Sequence, residues 1–197
     1  VLATQRHCAA LPSQGAGHAG LMADWSALHT QWQHTMAAWE TLSTPAVGPV
    51  LTRRSQRQID FWPTRHELLG KALDKAPQTL TDMERIGTLA KGLPAFETLL
   101  ARPGPMPPAT CHYLVLVAQG VSAEGRELGA ELATWAAKNW TEQSESDVEV
   151  TRAALVEWLN QWLGGVERLR WMHLEKPIKT AQTLGNKADS KKESNPL

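Results

Sequence analysis

Charge of one sign, long apolar runs, cysteine, phenylalanine and tyrosine are all scarce in this chain. Its 197 residues carry 20 Lys plus Arg against 20 Asp plus Glu. That balance offers no basic surface to nucleic acid and no acidic field to a cationic partner. No run approaches the roughly 20 apolar residues of a membrane-spanning helix. The only two cysteines are Cys8 and Cys111, too far apart for a CxxC zinc site. On the residues alone, two free core thiols and one long-range disulfide are equally good readings. The first residues show no initiating Met, basic stretch or apolar signal core, so they read as a trimmed or mature N-terminus. There is no Gly-x-Ser-x-Gly elbow, no glycine-rich phosphate loop and no His-Glu-x-x-His zinc helix. After His66-Glu67 the second histidine position is taken by Gly70.

What the chain has is tryptophan, nine of them, each a large anchor whose N–H asks for a partner. Trp25, Leu28, Trp32, Met36 and Trp39 step by three and four, placing one apolar face on a helix from about Gly17 to Leu42. Thr44, Pro45, Gly48 and Pro49 end it. Thr64, with Glu67, reads as the cap of a short helix through Leu73, and Thr81, with Glu84, as the cap of another. Pro94 suits the first turn of a helix. Four prolines and a glycine make a loop of Arg102 to Pro108. A second long helix is expected from about Ala109 to Trp140, its rhythm interrupted at Glu124 or Gly125. A third is expected from about Val148 to His173, carried by Leu155, Leu159, Trp162, Val166 and Leu169. The predicted fold is all-α, an up-down helical bundle over residues 1–177, with 178–197 a polar linker or frayed end.

Four stretches together resemble the imelysin family: the Trp-rich helix ending Ala38-Trp39-Glu40; Gln58-Ile59-Asp60-Phe61-Trp62-Pro63; Lys91 to Leu100; and the Cys111 helix behind the proline-rich loop. The likeness spans about Cys8 to Pro177 and corresponds to the first of two bundle-like halves. It implies an exported bacterial protein of the periplasm or outer membrane, with a lipidated Cys upstream of Val1 as one means of anchoring. It also implies a metallopeptidase or a part of an iron-uptake system, with iron or another divalent metal as cofactor and other envelope or iron-uptake proteins as partners. In such an oxidising compartment the Cys8–Cys111 disulfide becomes the favoured reading.

The family's Gly-x-His-x-x-Glu signature falls on Gly92 to Glu97, with Pro94 in the histidine position. A His and a Glu three apart on one helix face can clamp a metal together. Proline has no lone pair to give, which leaves Glu97 as a single metal-ligand candidate. Against that role, Glu97 reads equally as a carboxylate favoured by a helix's first turn. Asp60 and Trp62 are candidates for lining the same cleft. The competing reading pairs Asp60 with Arg57 and puts Trp62 in the core, and for Trp62 it is preferred. His66-Glu67 and Cys111-His112 are neighbours that point apart on a helix and chelate poorly. Arg53, Arg54 and Arg57 read as a solvated face. The expectation is a non-catalytic binding component. A metallopeptidase whose site is completed by the other half, and a structural or interaction module of the envelope, are the alternatives.

Overall fold

The computed structural model describes residues 1–10, 18–44, 46–102, 106–138 and 144–193. Among them there is no strand, and no helix is long and apolar enough to cross a membrane. The helices are α1 (Leu2–Ala10), α2 (His18–Ser43), α3 (Pro49–Thr52), α4 (Ser55–Ile59), α5 (His66–Asp74), α6 (Leu80–Glu84), α7 (Gly92–Leu100), α8 (Pro108–Ala136), α9 (Glu145–Arg168) and α10 (Lys176–Glu193). A 3₁₀ turn at Thr88–Ala90 precedes α7, and a π-helical stretch at Leu169–Glu175 joins α9 to α10.

The chain forms two compact units, Val1–Trp140 and Thr141–Leu197. That division differs from the boundary expected near residue 177. The polar composition of 178–193 is carried on a helix rather than on a linker, and residues 194–197 lie outside the described ones.

The core of the first unit has two parts. One gathers Leu69, Phe96, Leu99, Tyr113, Leu114 and Val117, where α5, α7 and α8 meet. The other gathers Trp39, Val50, Ile59, Leu93 and Leu128. Tyr113 is buried because its hydroxyl donates to the Ala90 carbonyl at 2.6 Å, and burial pushes its ionisation well above the ordinary tyrosine value. Cys8 and Cys111 are joined in a disulfide that ties α1 to α8.

The long helices begin and end close to where the periodicity puts them. The short ones are capped differently. Arg65, not Thr64, is the N-cap of α5, and it makes no side-chain cap bond. The Thr64 hydroxyl is buried without a partner among the described residues. Thr79, not Thr81, caps α6, in a reciprocal box with Asp82. The Gln78 and Thr79 backbone N–H groups and the Thr79 hydroxyl hold the Asp82 carboxyl below its usual range. In the second unit Ser144 and Asp147 make the same box at the start of α9.

Candidate functional site

The Gly92–Leu100 helix starts at a residue with φ +73°. A Cβ there would collide with the Ile59 carbonyl oxygen, so only glycine lets the α7 entry close on the end of α4. The first turn of α7 is thus packed against the Gln58–Asp60 segment, and two of the four stretches that carry the family resemblance meet in space. Beside it, Lys91 donates its Nζ to the Met83 carbonyl at 3.0 Å, and partial burial lowers its ionisation.

The motif positions themselves do not converge on an open centre. Pro94 is buried in the first turn of α7, and Glu97, one turn on, is exposed. Asp60 is half-buried and accepts a hydrogen bond from the Trp39 indole Nε1 at 3.2 Å. It does not serve Arg57, whose guanidinium lies 5.5 Å from the centre of the Phe61 ring. Trp62 follows Phe61 and precedes Pro63 across a cis peptide bond. It is 73 % exposed, which corrects its expected place in the core. Of the indoles in the motif stretches, Trp39 is the buried one, at 5 % exposure.

In the basic cluster Arg54 and Arg57 are exposed, as on a solvated face, and Arg53 departs from it. Arg53 reaches α8 and is held by Glu124, Glu127 and Glu131. Its Nε and Nη2 fork onto Glu124 at 3.1 and 2.9 Å. Ser55 adds a donor to the same carboxylate at 2.6 Å. The Arg53 and Ser55 bonds hold Glu124 below the ordinary carboxylate value, against the opposing effect of partial burial. The interruption of the apolar rhythm at Glu124 therefore marks a tie between α3–α4 and α8. His66 and Glu67 stay apart as expected, Glu67 pairing with Lys71 at 2.7 Å.

The first unit holds a groove of about 610 Å3. One wall is α2, with Leu28, Trp32, Thr35 and Trp39. The other is α8, with Ala118, Val121, Ser122 and Gly125, whose small side chains at steps of three and four keep it open. Ile59, Leu93 and Phe96 are its buried floor, and the start of α1 closes one side. Asp60, Trp62, Gly92, Pro94 and Glu97 are not among the lining residues. Their neighbours in sequence build the floor, and Asp60 fixes the indole of Trp39 in the wall. Among the α8 residues of the groove, Gly125 stands out in the sequence, as a possible interruption of the apolar rhythm. The signal for them was the run Ala118, Ser122, Gly125, small residues on one face of a helix otherwise rich in Leu and Val.

A metal ion does not fit the motif as it stands. Pro94 has no donor atom and is buried, while Glu97 presents one carboxylate to solvent. Among the described residues, no group of three or more His, Cys, Asp or Glu is arranged to hold an ion.

No curated protein matches this chain. A crystal structure of an imelysin-like protein from Psychrobacter arcticum 273-4 superposes with a TM-score of 0.60 at 18% identity, covering 85% of this chain and 51% of that one. The likeness is one of fold, and the chain spans about half the length of that protein. The family model for imelysin, Peptidase_M75, matches residues 2–194, and the chain therefore belongs to the imelysin family.

Proposed function

We propose that this chain is a non-catalytic binding component of the bacterial envelope, serving iron acquisition as its family resemblance implies, rather than a working peptidase. The observation that carries the reading is the state of the signature: Gly92 has a backbone duty, Pro94 is a buried packing residue, and Glu97 stands alone at the surface. A hydrolytic metal centre needs about three protein ligands and an open position for water, and this segment supplies one carboxylate. What the first unit does offer is an apolar groove with few polar groups on its walls, the general form of a binding site.

The test is titration of the chain with iron and with zinc, beside Glu97→Ala, together with a protease assay on an unfolded protein substrate with and without chelator. The expected result is no stoichiometric metal binding that depends on Glu97 and no chelator-sensitive cleavage. Cleavage that the chelator abolishes overturns the reading; binding of one ion per chain that Glu97→Ala weakens, without cleavage, keeps the iron role and makes Glu97 a ligand in it.

A further inference from the structure

We draw no further inference here: the strongest candidate, the apolar groove between α2 and α8 of the first unit, belongs to the binding reading already proposed, and nothing in the structure shows what fills or covers it.

Discussion

Gly92 occupies a left-handed backbone position against the Ile59 carbonyl, so a single methyl group there is costly twice over, in conformation and in space. Gly92→Ala is expected to lower stability by about 2–3 kcal/mol, measured as a shift of the urea midpoint. A change of under half a kcal/mol would mean that the turn is not held as described. Glu124 makes a prediction of another kind. Arg53 and Ser55 hold its carboxyl below its ordinary value of 4.5. A group with a depressed folded pKa gives stability that is fully present above its unfolded pKa and is lost as pH falls through the folded one. The chain should therefore lose stability on acidification below about pH 4.5, and Glu124→Gln should lose less over that interval while starting lower at pH 7. Parallel acid profiles for the two proteins would remove Glu124 from the account. At this scale the sequence was informative about identity and weak about partners. Glu97, Pro94 and Gly92 were visible from the motif. That Asp60 serves Trp39 rather than Arg57, and that Trp62 is exposed, depends on how α2 and the segment of residues 60–63 come together, and local pattern does not encode that.

At the scale of the element, the three long helices were legible because each repeats its apolar residues at steps of three and four over many turns. The short ones were legible as helices but not in their caps. Thr79 and Thr81 each have an acidic residue three positions on, and the backbone selected Thr79 with Asp82 over Thr81 with Glu84. The groove was hidden for a related reason. Small residues along α8 look like close packing until the opposite wall is known to be the Trp-bearing face of α2. The disulfide is a covalent constraint between elements, joining Cys8 and Cys111 across a sequence separation of 103. Replacing both cysteines by serine is expected to cost about 2–4 kcal/mol, read from urea denaturation. A double variant that melts with the parent would mean that the bond adds nothing to α1 and α8 beyond their packing.

For the whole molecule, both core clusters, the groove and the disulfide lie within Val1–Trp140. A fragment ending at Trp140 is therefore expected to fold by itself, with a helical circular dichroism spectrum and one cooperative thermal transition. A broad, non-cooperative melt would show that this core depends on the second unit. The second unit, by contrast, has no buried residue in α9.

The division between what sequence and structure decide follows from the range of the forces. Helix content, the positions of the long helices, the absence of a spanning helix and the family were determined by the sequence itself. They depend on periodicity, on proline and glycine, and on the order of motifs along the chain. Which carboxylate meets Arg53, which indole is buried and whether Cys8 reaches Cys111 were decided by the tertiary structure alone. Each depends on two segments tens of residues apart arriving at one place, where burial and close contact give a charge or a hydrogen bond the strength it lacks in water.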